Sequence, residues 1–277
     1  MFTYIDPKVR QRLITEGKLV RIDAAGRALS AGEPAPSDGS VGAAALLNIL
    51  GPIPLPLQIA GVRMDARWYA AVRRTELRRL EDLAAELRDS GGQRDFSSLA
   101  TSMAVNSVLI VGSALESDNP LVRVHSSCLT GDVFGSERCE CGPQLDNALN
   151  RIAEDPAGGV VVYMAGHEGR GIGLWAKAAT YLLQDAGQDT YGANQALGLP
   201  DDSRDFGDAA ALLLYFLGDR PLRLLTNNPK KVTDLEQHGL RQVTPVKHLM
   251  GVGKSNRRYL EAKRNWGHHI SEDDLRD

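Results

Sequence analysis

Cys128, Cys139 and Cys141 fall within one short stretch, with Gly142 immediately after, and they are the only 3 cysteines of the 277-residue chain. Three thiolates at close range repel one another unless a cation such as Zn2+ lies between them and keeps them deprotonated. A metal held by three protein ligands keeps a fourth position for water, and zinc in that state brings the pKa of its water to about 7. A free cysteine can also be a small core residue, and a pair can be a disulfide. The odd count makes a disulfide framework a poor fit, and Cys139-x-Cys141 suits two ligands from one turn. The stretch therefore predicts a catalytic metal site.

Four segments are dense in polar groups, each after an expected strand or at the start of a helix, where active-site loops collect. Arg123-Val124-His125-Ser126-Ser127 leads into Cys128. In an extended strand His125 points away from Ser126, so it is expected to be structural or to contact substrate rather than to ligate metal. His167-Glu168-Gly169-Arg170-Gly171-Ile172-Gly173 is a glycine-rich turn whose amides, with Arg170, could cradle a phosphate, although such turns are common. Asp201-Asp202-Ser203-Arg204-Asp205 reads on composition as a solvated loop and cap. Thr226-Asn227-Asn228-Pro229-Lys230-Lys231 follows a short apolar strand and suits polyphosphate, or else a simple N-capped surface helix. Together with a hydrolytic metal, these segments suggest a nucleotide-like substrate.

The elements that must position these residues alternate. Strands are expected at Val105 to Val111, Leu121 to Val124, Gly158 to Tyr163, Leu222 to Leu225 and Gln242 to Val246. Helices are expected at Gln144 to Ala153, Leu174 to Gln184, Phe206 to Leu217 and Pro229 to His238. This pattern predicts an α/β or α+β fold, a sheet with helices packed against it. Upstream, Asp6-Pro7 caps a short helix ending near Gly17, Ser30 to Ser40 is a Gly/Pro/Ser-rich linker, and Val41 to Leu50 reads as a short helix. Leu77, Leu80, Leu83 and Leu87 form one stripe of a charged helix whose Arg and Glu residues balance, which favours packing or dimer contact over nucleic-acid binding. Gly91 to Arg94 reads as a loop.

Hydrophobic content of 43%, charged content of 24% and a net charge of -3 describe a globular chain rather than a nucleic-acid coat. No window approaches the run of about 20 apolar residues that a membrane span needs. The opening Met1-Phe2-Thr3-Tyr4-Ile5-Asp6 shows no charged-then-apolar signal, so a cytoplasmic location with no membrane partner is expected.

Arg123-Val124-His125-Ser126, Cys128-x10-Cys139-x-Cys141-Gly142, Glu168-Gly169-Arg170-Gly171-Ile172-Gly173-Leu174, Leu183-Gln184-Asp185, Arg204-Asp205-Phe206 and Leu225-Thr226-Asn227-Asn228-Pro229-Lys230-Lys231 closely resemble GTP cyclohydrolase II. The match runs in family order from about Leu121 to His268. It implies residues 51–277 as the catalytic domain, a mixed sheet flanked by helices, with residues 1–50 an N-terminal extension and linker. It implies hydrolysis of GTP to formate, pyrophosphate and a 2,5-diamino-6-ribosylamino-pyrimidinone 5'-phosphate, the entry to riboflavin synthesis. Cys128, Cys139 and Cys141 would hold Zn2+, and Mg2+ would accompany the triphosphate. Tyr181 would assist ring hydrolysis, Arg204 would match the nucleophile on the α-phosphorus, and Asp202 the acid-base carboxylate beside it. A guanidinium stays protonated, so charge stabilisation by Arg204 fits its chemistry better than attack. Substrate-binding positions would be Arg123, Val124, His125, Ser126, Ser127, Gln144, Glu168, Gly169, Arg170, Thr190, Thr226 and Lys231. The family is typically a homodimer.

Three positions depart from the family pattern: Ser127 stands for Glu, His167 for Gln, and Gly192 for the Glu of Glu-Ala-Asn. Carboxylates are natural acceptors for a guanine N1-H and amino group, so base preference or final product could differ. A nucleotide-binding regulatory homologue without turnover is a further alternative, against which the intact cysteines, Asp202 and Arg204 stand. A zinc deaminase lacks support, because its His-x-Glu and Pro-Cys-x-x-Cys arrangement is absent.

Overall fold

A computed structural model describes residues 6–30, 46–90 and 103–275. Most of the expected Ser30 to Ser40 linker, residues 41–45 and the Gly91 to Arg94 loop lie outside the described residues. Helix α1 (Pro7–Thr15) begins as expected, with Asp6 accepting from the amides of Lys8 and Val9. Strands β1 (Leu19–Ile22) and β2 (Ala28–Leu29) follow, then a long hairpin of β3 (Leu47–Ile59) and β4 (Val62–Arg73). Next come α2 (Arg74–Ser90), β5 (Asn106–Val111) and β6 (Leu121–Ser126), a helical turn at Leu129–Asp132, and α3 (Cys141–Glu154). Beyond β7 (Gly159–Met164) lie α4 (Leu174–Asp185), α5 (Thr190–Ala196), α6 (Gly207–Leu217), β8 (Leu222–Leu225), α7 (Pro229–Gln237), β9 (Val243–Val246) and α8 (Arg257–Asn265).

All nine strands described join one mixed sheet in the order β2-β1-β3-β4-β5-β7-β6-β8-β9. The first part is antiparallel, whereas β7, β6, β8 and β9 run parallel. Helices cover both faces, as parallel strands require. On one face Phe206, Ala209 to Leu213 and Leu217 pack with Leu235 on Val122, Val124, Val160 and Val162. On the other, Ala148, Leu149 and Ile152 of α3 cover Leu121, Val161 and Leu225.

The Val41 to Leu50 helix expected from sequence is not formed over its described part. Leu47 to Leu50 pair instead with both Leu19 to Ile22 and Ala70 to Arg73, so the sheet runs unbroken through residue 50. An apolar run this short carries no period to separate strand from helix. The prolines hid the strand further. β1 covers β3 only at residues 47–50, leaving the far half of β3 at an edge where exposed Pro54 and Pro56 forfeit no ladder bond. The hairpin closes at Ala60 and Gly61, both with positive φ (48° and 85°), as a two-residue turn of this hand needs.

Candidate functional site

The carboxyl ends of the parallel strands open on one pocket, where α/β sheets place ligands. β6 delivers Ser126, Ser127 and Cys128; β7 leads into the turn Ala165–Gly171; β8 delivers Thr226, Asn227 and Asn228. Asn106, at the facing end of antiparallel β5, accepts from the amide of Ala165 at 3.1 Å and fixes the start of the second loop.

The cysteine cluster depends on a close backbone approach. A Cβ on Gly142 would meet the carbonyl oxygen of Gly131 at 2.3 Å, so only glycine lets the start of α3 close on the turn after Cys128. The three Sγ atoms lie within 4.8 Å of one another, and Cys128 and Cys139 are 3.6 Å apart. Tetrahedral zinc with Zn–S of about 2.3 Å needs sulfurs about 3.8 Å apart, so the set fits that ion.

The protonation of the thiols agrees with this. Hydrogen bonds from Cys139 and Cys141, then the charge of Lys177, pull Cys128 far below the ordinary thiol range. Sharing with Cys128 pushes Cys139 up to about 11, and sharing with both partners pushes Cys141 well above its ordinary value. One thiolate is tolerated beside Lys177; three together require a multivalent cation. Glu140, between two of the cysteines and 2% exposed, is paired with Lys263 of α8. Burial works against the Lys263 ammonium, but Glu140 outweighs it and raises the pKa.

Helix α4 presents Lys177, Thr180, Tyr181 and Gln184 to the pocket. Lys177 Nζ donates to Cys128 Sγ at 3.1 Å and to Glu168 Oε1 at 2.6 Å. Glu168 Oε2 accepts from the amide of Leu129 at 2.7 Å, tying the β7 loop to the turn that follows Cys128. Tyr181 Oη lies 3.2 Å from Thr130 Oγ1, which is itself 3.7 Å from Cys128 Sγ. Burial raises the Tyr181 pKa, so its phenol keeps the proton at neutral pH. The Arg138 guanidinium stacks on its ring at 4.4 Å.

At the opposite wall Arg204 forms a bidentate pair with Asp202, Nε to Oδ1 at 2.9 Å and Nη2 to Oδ2 at 2.6 Å. Burial disfavours the Asp202 carboxylate, yet Arg204 holds its pKa down to about 2. A Cβ on Gly171, whose φ is +88°, would strike Ser203 Oγ at 2.6 Å, so this glycine lets the β7 loop seat the Arg204 segment. Arg123 is 6% exposed and donates to the Leu225 carbonyl and to Gln144 Oε1, both at 2.8 Å, while its buried Nε has no partner. Burial, then repulsion from Arg123 and Arg204, drives the Lys231 pKa well below its ordinary value. Such crowded cations are relieved by an entering polyanion.

The pocket brings together every sequence-expected site residue except two. Val124 buries its side chain in the core and offers its carbonyl oxygen to Lys231 Nζ at 2.7 Å. Asp202 reaches the pocket through Arg204. His125 is 1% exposed and bonds Asp132 through Nε2 at 3.0 Å. Of the residues that depart from the family pattern, Ser127 donates to the Ala165 carbonyl at 2.9 Å and His167 bonds Ser126 Oγ at 3.2 Å. Gly192 follows the cap of α5, its amide donating to Asp189 at 2.7 Å, and among the described residues it does not line the pocket.

Sequence reasoning missed Lys177, Arg138, Glu140, Tyr259, Lys263 and His268, all of which line the pocket. Lys177 was findable, because it sits one helical turn before Tyr181 on the same expected face. No local signal marks Tyr259 or Lys263.

A family profile described as GTP cyclohydrolase II matches residues 95–247. Proteins named Riboflavin biosynthesis protein RibBA from Mycobacterium tuberculosis and Mycobacterium marinum are each 53% identical over 163 residues, and that from Mycolicibacterium paratuberculosis is 52% identical. The matched region is 58% of this chain and 38% of each relative, so the chain spans well under half the length of these relatives.

Proposed function

The chain belongs to the GTP cyclohydrolase II family, and from that premise we propose that it hydrolyses GTP with opening of the imidazole ring, releasing formate and pyrophosphate. The observation that carries this reading is the convergence of three sulfurs, Tyr181 and the Arg204–Asp202 pair on one pocket. In this reading residues 51–277 carry the catalytic unit, and residues 1–50 are an addition whose strands join its sheet.

Cys128, Cys139 and Cys141 would hold Zn2+, which when bound supplies hydroxide at neutral pH for the ring carbon. Lys177 and Lys263 offset the negative charge of the sulfurs and of Glu140. Tyr181, neutral and held by Thr130, donates a proton or hydrogen bond at the opening ring. Arg204, aimed by Asp202, stabilises charge at the α-phosphorus, and Arg123, Arg170 and Lys231 bind phosphate oxygens. Gln144, Glu168, Gly169, Thr190 and Thr226 complete the substrate walls, with Mg2+ accompanying the triphosphate.

Exposed Trp175 and Leu182 on α4, with Phe134, offer apolar surface for a second copy, and a homodimer in the cytoplasm completes the reading. Among the described residues, no helix is long and apolar enough to cross a membrane.

One observation favours a second reading. Ser127 directs its hydroxyl to the Ala165 carbonyl and brings no carboxylate to a guanine edge, so another nucleotide or a partial product fits as well. The test is incubation of the zinc-loaded protein with GTP and, in parallel, other purine and pyrimidine nucleotides, following formate and pyrophosphate separately. Release of neither product from GTP, with zinc bound, overturns the GTP reading; turnover of another nucleotide establishes the second.

A further inference from the structure

Away from the catalytic pocket, a second concavity lies between α1, the first half of α2 and the outer strands of the sheet. Arg10, Arg21, Asn48, Arg74, Arg78 and Glu81 line it. Arg21 and Asn48 are direct cross-strand partners on β1 and β3, so they share one face of the sheet. That face is opposite the one on which Leu47 and Ile49 enter the core. Arg74, Arg78 and Glu81 recur at helical spacing along the side of α2 turned to it.

The charges in this concavity do not balance. Glu81 is taken by Arg10 at 3.0 Å, and Asp82 lies 4.0 Å from Arg78. Among the described residues, Arg21 and Arg74 have no carboxylate within ion-pair distance, and each faces the like charge of the other. Burial, followed by repulsion from Arg74 and Arg10, lowers the Arg21 pKa. Arg74 also opens α2, the helix end where a positive charge is unfavourable.

Two buried donors point to what is needed. Asn48 is 6% exposed, and its Nδ2 has no hydrogen-bond partner; Arg21 Nε is buried and likewise without one. Buried donors left unpaired are costly and rare in folded proteins, and an ion that accepts from them is a physical resolution. The same ion must be negative to relieve the arginines. A tetrahedral oxyanion offers several acceptors at once and matches the guanidinium fork in bidentate geometry.

We propose that the concavity between α1, α2 and β1–β3 is a binding site for a small phosphate anion, inorganic phosphate or pyrophosphate, held by Arg21, Arg74 and the Asn48 amide. All of its lining residues precede residue 95, where the family match begins, so the site is separate from the catalytic pocket and independent of the GTP reading.

Calorimetric titration of the full, zinc-loaded chain with phosphate, and separately with pyrophosphate, tests it. Pyrophosphate also suits the catalytic pocket, where Arg123, Arg170, Arg204 and Lys231 gather, so the site is read from the difference between the parent chain and Arg74→Gln, which is expected to lose one anion per chain while the catalytic pocket keeps its own. The arm with the lower Kd identifies the preferred anion. Arg21→Gln and Arg74→Gln are each expected to weaken binding about tenfold or more, and Asn48→Asp to abolish it by supplying a carboxylate in place of the ligand. The thermal midpoint of the unliganded chain should rise with Asn48→Asp and lose its phosphate-induced shift. Wild-type affinity in Arg74→Gln, whose side chain lies at a helix start, overturns the proposal, as does absence of binding by the parent chain at millimolar anion.

Discussion

Lys177 Nζ donates to Cys128 Sγ at 3.1 Å, placing an ammonium against one of the three sulfurs of the cluster. Three thiolates around a divalent ion leave one net negative charge, which Lys177 offsets in a site where it is 8% exposed. Outer partners of metal ligands are worth about 10- to 100-fold in affinity or activity. Lys177→Met is therefore expected to lose zinc to a chromophoric chelator about tenfold more readily than the parent chain. Equal retention would show that the contact has no part in holding the ion.

Tyr181 Oη is 3.2 Å from Thr130 Oγ1, and burial keeps the phenol protonated. If that proton serves the opening ring, Tyr181→Phe should lower formate release about 100-fold or more. Zinc content and thermal midpoint should stay at parent values, because the ring and its stacking with Arg138 are kept. Formate release within a few-fold of the parent would remove Tyr181 from the chemistry.

Asp202 is held at a pKa of about 2 and so is ionised throughout the working range. Its two bonds to Arg204 fit a carboxylate that aims the guanidinium in the proposed reaction rather than one that exchanges a proton. Asp202→Asn should reduce pyrophosphate release more than it alters substrate affinity. The loss should be the same from about pH 6 to pH 9, since no titration of Asp202 falls there. A loss that varies with pH, or an ionisation of the parent profile that disappears in the variant, would argue for acid-base work instead.

The histidines give the fold its own pH dependence. Burial pushes the His248 pKa down to about 3 and that of His167 down to about 4, with repulsion from Arg123 and Arg204 respectively adding to it. Both remain neutral when folded while the unfolded chain takes up protons near pH 6.5, so their stabilisation is complete above that value and is lost as pH falls toward the folded pKa. From pH 7 to pH 5 each contributes a loss of about 2 kcal/mol. Urea unfolding at the two pH values should show it, and His248→Gln should flatten the slope. An unchanged slope in that variant would assign the acid sensitivity elsewhere.

Much of the site was legible because its chemistry is local in sequence. The cysteines, the β7 turn and Thr226 to Lys231 each sit at an element boundary that periodicity locates, and the parallel strands bring those boundaries to one edge. Lys263 was not legible, because its partner Glu140 lies 123 residues away and only tertiary packing joins them. The β3–β4 hairpin escaped for a different reason: Pro52, Pro54 and Pro56 argue against a strand unless one knows that β1 leaves that stretch at an edge. The Asp201 to Asp205 segment read as a solvated loop on composition. The resemblance singled out Asp202 and Arg204 within it, and the structure adds their pairing and the approach of Gly171, neither of which composition reveals.

His167 departs from the glutamine usual in the family, yet its contacts explain how the replacement preserves the site. Nε2 faces the Asp205 carbonyl at 3.0 Å and must carry the proton, so Nδ1 accepts from Ser126 Oγ at 3.2 Å. Ser126 Oγ in turn lies 3.4 Å from Arg204 Nη1. A glutamine amide presents a donor and an acceptor about as far apart as the two ring nitrogens, and could make the same two bonds. His167→Gln should therefore keep turnover within a few-fold, while His167→Leu, which breaks both bonds and frees Ser126 to rotate toward Arg204, should lower kcat by about tenfold or more with little change in KM. The pH profile of turnover should be alike in the parent chain and His167→Gln, since the histidine is neutral and acts by orientation. A profile that loses an ionisation in His167→Gln would show that the imidazole moves a proton and that the departure from the family changed the chemistry rather than conserved it.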